Sequence, residues 1–368
     1  MLYYMHEMQR LAMAPSRAVA DAMKFAANNP MNAFSHTPVG KAMGSAAEIF
    51  SRMTHKYGKP EWGIDHTIID GKKVAIEIEP IVHRTYCDLV HFKRKTDRND
   101  PKVLIVAPLS GHFATLLRGT VEAMLPDHDV YITDWTNARD VPIAAGKFGV
   151  EDYVSYLIRF MEEIGEGGHM LAVCQPCVQT LVAVSVMSER KHPCTPRSMT
   201  LMAGPIDVRE SPTSVNDLAN EKSLSWFKQR MIQTVPLRYK GGGRRVYPGF
   251  VQLISFMAMN MDRHKAAHKG LYEDLAEGNT AKAEKVKTFY DEYFAVLDLT
   301  EEFYIETIDR IFQRCELATG DFEYQGKKVD PSKITRTALL TVEGGRDDIC
   351  ALGQTAAAHD LCSSLRPH

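Results

Sequence analysis

The residues best suited to chemistry lie in the segment His169-Met-Leu-Ala-Val-Cys-Gln-Pro-Cys-Val-Gln-Thr180. A short apolar run leads straight into Cys174, and helix-forming residues resume a few positions later. A thiol on a sharp strand-to-helix turn faces free backbone N–H groups and the positive end of a helix dipole, which favour the thiolate. Such turns usually carry glycine two residues before and after the nucleophile; here those positions are Ala172 and Pro176. Three readings of the segment stay open: a nucleophile at Cys174, a Cys174-Gln-Pro-Cys177 redox pair, or an inert buried cysteine.

A nucleophile of this kind needs an acid after a late strand, a histidine beyond it, and oxyanion donors. After the apolar run Ala338–Val342 comes Glu343-Gly-Gly-Arg-Asp-Asp-Ile349. It offers Asp347 as the acid, with Asp348 as the alternative; either could instead cap the next helix. The loop Pro108-Leu-Ser-Gly-His112 follows another apolar run, so the backbone N–H groups of Leu109, Ser110 and Gln175 are the candidate oxyanion donors. His112 precedes the nucleophile and reads as loop structure or a substrate contact. His359 lies in a helical run and reads as packing, and His368, the last residue, comes too early for a triad base. His264 and His268 are spaced like a zinc pair but lack an acidic or cysteine partner at a suitable spacing, so neither metal nor cofactor is expected. Gly241–Gly243 lacks the Lys-Ser/Thr of a phosphate-binding loop and reads as a turn.

The elements that must position these residues follow from periodicity. Val103–Ala107, Val130–Thr133, Met170–Val173, Met199–Met202 and Ala338–Val342 are continuous apolar runs, the pattern of strands buried on both faces of a parallel sheet. Helical segments such as Val150–Ile164 and Val178–Met187 separate most of them, which argues for an α/β, doubly wound sheet. Asp70-Gly71 signals a hairpin before Val74, Ile76 and Ile78, and Leu89–Lys93 is a further strand. From Ala203 to Thr337 the alternation lapses, and amphipathic pieces around Phe227 and Tyr293 predict an inserted helical cap over the carboxyl edge of the sheet. Ahead of the sheet, Ser16–Asn28 and Gly40–Met53 carry Met-rich apolar faces, expected to pack on the core or to touch a hydrophobic particle. The expected divisions are residues 1–100 (helices and β-region packed on the core), 101–204 (first part of the core), 205–335 (cap) and 336–368 (second part of the core).

The 44 basic and 46 acidic residues nearly cancel, which argues against nucleic acid as the main partner. No apolar run is long enough to span a membrane, and seven scattered cysteines do not form a disulfide framework, so a reduced, cytoplasmic protein is expected. The sequence is compatible with a homo-oligomer.

The segments APLSGH (107–112), VYITDW (130–135), VCQPC (173–177), GPIDVRESPT (204–213), GRRVYPGF (243–250), AMNMDRH (258–264), FYDEY (289–293) and VEGGRDDI (342–349) together resemble the intracellular polyhydroxybutyrate depolymerases, in order along the chain. The resemblance implies an α/β-hydrolase fold, a Cys-Asp-His triad and hydrolysis of amorphous poly(3-hydroxybutyrate) granules through a cysteinyl thioester. By position it makes Cys174 the nucleophile and Asp347 the acid. The family's histidine sits in a Gly-His-Tyr-Gly type segment one strand beyond the acid, and the sequence stops at Leu365-Arg-Pro-His368. A truncated chain of impaired activity is therefore expected. The alternatives are a non-catalytic polyester-granule-binding protein and a C-x-x-C disulfide oxidoreductase.

Overall fold

The computed structural model describes residues 2–365, so His368 lies outside the described residues. Its main sheet has eight strands: β1 (His66–Ile69), β2 (Lys72–His83), β3 (Cys87–Arg94), β4 (Lys102–Val106), β5 (Asp129–Trp135), β6 (His169–Val173), β7 (Ser198–Met202) and β8 (Ala338–Val342). They lie in the order β1-β2-β3-β5-β4-β6-β7-β8. Asp70 and Gly71 adopt φ of 49° and 73°, the left-handed pair that a tight hairpin demands, and they join β1 to β2. The first three strands are antiparallel, and β3 also pairs antiparallel with β5. From β5 to β8 every pairing is parallel.

The helices between the parallel strands are α3 (Arg118–Met124), α4 (Val150–Ile164) and α5 (Cys177–Glu189). Every residue of α5 from Cys177 to Met187 is buried, as befits a central helix apolar on all sides. A mostly parallel sheet of this order, with a strained cysteine turn after its central strand β6, is an α/β-hydrolase fold. One strand departs from expectation. β8 is the edge of the sheet, and Leu340 is 56% exposed instead of being covered on both faces.

The chain divides into two units. The larger comprises residues 61–247 and 297–368 and contains the sheet. The smaller comprises residues 1–60 and 248–296. In it α1 (Leu2–Asn28) and α2 (Pro38–Thr54) associate with α6 (Gly249–Met259), α7 (Met261–Glu277) and α8 (Thr280–Tyr293). The sequence reading set these helices apart, the first pair packed on the core and the rest in the insertion. In the structure they share a charged knot. Buried Glu48 of α2 takes Lys24 of α1 at 2.9 Å and Lys287 of α8 at 3.9 Å, and Arg52 reaches Asp291 at 2.6 Å. His264 bonds the Tyr290 hydroxyl at 2.9 Å, and His268 bonds the His264 carbonyl at 2.9 Å, so both histidines are spent on helix packing. Among the described residues no group of side chains could hold a metal ion, and no helix is long and apolar enough to cross a membrane.

Candidate active site

Register brings the sequence candidates to one edge. Val106 of β4 pairs with Ala172 of β6, Val173 with Met202 of β7, and Met202 with Val342 of β8. The loop 107–112, Cys174, the turn at 203–204 and the loop after Val342 therefore leave the same, carboxyl end of the sheet.

Cys174 has φ of 69°, a left-handed backbone that costs a non-glycine residue about 1–2 kcal/mol. Its N–H donates to the Met202 carbonyl at 2.7 Å, and its carbonyl accepts from Cys177 N–H at 3.1 Å as α5 begins. The glycines missing at 172 and 176 are replaced from another strand. A Cβ on Gly204 would overlap Cys177 and come within 3.0 Å of the Cys174 carbonyl oxygen. A search confined to the elbow's own segment misses that glycine; its signal is the Gly204-Pro205 break directly after β7.

The helix N-terminus does not win the thiol. Burial pushes the Cys174 thiol up, the Gln175 backbone N–H pulls it down, and the Asp347 charge raises it, with a net rise. The expectation of a lowered thiol is thus corrected, because desolvation outweighs a helix end that offers it one backbone N–H. The Asp347 charge is nevertheless felt at the sulfur. Its carboxylate accepts the N–H groups of Ile349 at 2.9 Å and Cys350 at 3.0 Å, which fixes it as a turn brace without a helix directly after it. Asp347 is half-buried and Asp348 exposed. His359 bonds Thr341 at 3.1 Å.

The loop carrying Leu109 and Ser110 is anchored at its root. The Ala107 carbonyl accepts from Trp135 Nε1 and the Tyr153 hydroxyl, both at 2.9 Å, and Ala107 N–H donates to Thr133 Oγ1. Leu109 is buried and Ser110 half-buried. Gln175 is buried, and its amide donates to Thr307 Oγ1 at 3.2 Å, at the start of a π-helical stretch, Thr307–Gln313. That stretch thus reaches the residue that follows Cys174.

Cys177 is fully buried, with its sulfur 3.5 Å from the Ala172 carbonyl and 3.6 Å from that of Met202, and burial pushes its thiol well up. All seven cysteines are free thiols. The Gly241–Gly243 turn wraps a buried Arg244 that bonds the carbonyls of Val141, Pro142 and Gly146, a structural role.

Residues 203–368 match a protein family described as "PHB de-polymerase C-terminus". No curated protein matches the chain. Among solved structures, the chain is similar to a serine hydrolase from Cycloclasticus zankles (10% identity, TM-score 0.41, covering 80% of this chain and 89% of that one). It is also similar to 2-hydroxy-6-oxo-6-phenylhexa-2,4-dienoate hydrolase from Rhodococcus sp. RHA1 (11%, TM-score 0.40, 79% and 89%) and an enol-lactonase from Burkholderia xenovorans LB400 (11%, TM-score 0.36, 82% and 89%). Similarities this low add nothing to the fold assignment, which rests on the strand order and the strained cysteine turn.

Proposed function

We propose that this chain, whose residues 203–368 match the family described as "PHB de-polymerase C-terminus", hydrolyses amorphous poly(3-hydroxybutyrate) with Cys174 as nucleophile and Asp347 as the acid. The observation that carries this reading is the left-handed Cys174, held after the central strand and under the charge of Asp347. In the first step the thiol gives its proton to water and its sulfur attacks the ester carbonyl carbon. The oxyanion is held by backbone N–H groups, with Leu109, Ser110 and Gln175 as candidates. The carbon–oxygen bond then breaks, the departing 3-hydroxyl oxygen takes up a proton, and a 3-hydroxyacyl thioester remains on Cys174. Water attacks the thioester, the carbon–sulfur bond breaks, and acid and thiol are released.

The granule surface is the proposed partner, in a cytoplasmic setting. Tyr4, Met8, Leu11 and Val19 are spaced along one stripe of α1 and all are exposed. Nearby, Val19, Met23, Met43 and Phe50 line an apolar cavity of about 500 Å³ between α1 and α2. A flexible aliphatic polyester offers such a stripe a surface on which to lose water.

Clearing of native granules by the wild type and by Cys174→Ala tests the reading. Clearance should vanish in the variant while granule binding persists. Equal clearance would remove Cys174 from the chemistry, and no clearance by either protein with binding intact would favour the non-catalytic binder. A disulfide oxidoreductase would need Cys177 as well, whose buried sulfur argues against it.

A further inference from the structure

Nucleophile and acid are carried after β6 and β8, which are not neighbours; β7 lies between them. The turn that ends β7 is tied to both sides. Met202, its last strand residue, accepts the Cys174 N–H at 2.7 Å. Ala203 is left-handed at φ 51° and donates its N–H to the Val342 carbonyl at 2.8 Å. Gly204 commits both backbone polar groups to one hydroxyl. Its N–H donates to Thr355 Oγ1 at 2.8 Å, and Thr355 Oγ1 donates to its carbonyl at 3.0 Å.

Thr355 is fully buried and belongs to the loop that bears Asp347. That loop is closed on itself by Glu343, whose Oε1 accepts the N–H groups of Thr355 at 2.8 Å, Ala356 at 2.9 Å and Gly353 at 3.0 Å. A covalent and hydrogen-bonded path thus runs from Asp347 through Thr355 and Gly204 to Cys174. The Thr355 hydroxyl both accepts from and donates to Gly204 through one atom, and a Cβ at 204 would overlap Cys177.

We propose that Thr355, through its clasp on Gly204, is a positioning residue that sets the separation of Cys174 and Asp347, and that Glu343 holds Thr355 in register. The proposal rests on the Cys174–Asp347 reading above.

The test compares Thr355→Val, Thr355→Ser and Thr355→Val combined with Asp347→Asn. Two readouts are taken: steady-state hydrolysis of a soluble 3-hydroxybutyrate oligomer, and the pH profile of iodoacetamide alkylation at Cys174, located by peptide mass. Thr355→Val should lower kcat about tenfold with KM unchanged. Thr355→Ser should restore it, and Thr355→Val should cost nothing further in the Asp347→Asn background. The alkylation midpoint of Thr355→Val should move toward that of Asp347→Asn. Glu343→Gln, which keeps the hydroxyl, should show the same pattern more weakly and covers the case in which Thr355→Val fails to fold. Losses that are fully additive with Asp347→Asn, or an unmoved alkylation midpoint, overturn the proposal. The alkylation readout needs no turnover, so slow catalysis does not blunt it. If Cys174→Ala keeps its activity, the nucleophile reading itself has failed; a silent Thr355→Val beside a dead Cys174→Ala sinks only the positioning role.

Discussion

Two demands meet at Cys174. The turn at the end of β6 holds the backbone of half-buried Cys174 in a left-handed conformation, and burial pushes its thiol up. A raised thiol ionises only as pH climbs above the usual cysteine range, so alkylation of Cys174 should be slow at neutral pH, with its midpoint displaced upward. Because the Asp347 charge is among the causes of the rise, Asp347→Asn should move that midpoint down and speed neutral-pH alkylation while slowing ester turnover. A midpoint that does not move in Asp347→Asn would place the carboxylate out of electrostatic reach. The sequence showed which residue sits at the elbow and which acid follows the late strand, since both are local patterns. It did not show the sign of the thiol's shift, because desolvation is set by everything packed around the sulfur.

At the scale of elements, the turn after β7 carries more than its sequence suggests. Gly204→Ala should force a Cβ into Cys177, whose own Cβ cannot swing away, and so cost about 1–3 kcal/mol of stability by denaturant unfolding. It should also slow Cys174 alkylation, whereas Gly270→Ala, where the space is open, should leave both unchanged or slightly improved. Equal behaviour of the two variants would contradict the close approach at Gly204. The sheet strands were legible because apolar runs and alternation report burial locally: Val103–Ala107 became β4 and Met170–Val173 became β6. The edge position of β8 was not, since an apolar run looks the same whether or not a neighbour covers it. Nor was the Thr355–Gly204 clasp, which joins residues far apart in sequence.

For the whole molecule, the unread feature was the partnership of the first two helices with α6, α7 and α8. Helical periodicity reports that a face is apolar, but the knot at Glu48 joins charges from three separated segments. Periodicity marked apolar faces over Ser16–Asn28 and Gly40–Met53, and the exposed stripe at Tyr4, Met8 and Leu11 lies ahead of them. If the α1 stripe meets the granule, Met8→Glu combined with Leu11→Lys should weaken pelleting with granules by roughly tenfold or more, at about 1 kcal/mol for each partly buried apolar side chain. The melting transition should stay where it was, because Met8 is 67% exposed and Leu11 59%. Unchanged pelleting would assign granule contact to another surface.

The central claim is that ester carbon becomes bonded to the sulfur of Cys174. The most direct measurement is to mix the protein with an activated 3-hydroxybutyryl ester, quench in acid, and locate the acyl group by peptide mass. The account predicts one 3-hydroxybutyryl group on Cys174, absent from Cys174→Ala and accumulating faster as pH rises. An acyl group on any other residue, or polymer cleaved while Cys174 stays unmodified throughout, would contradict it.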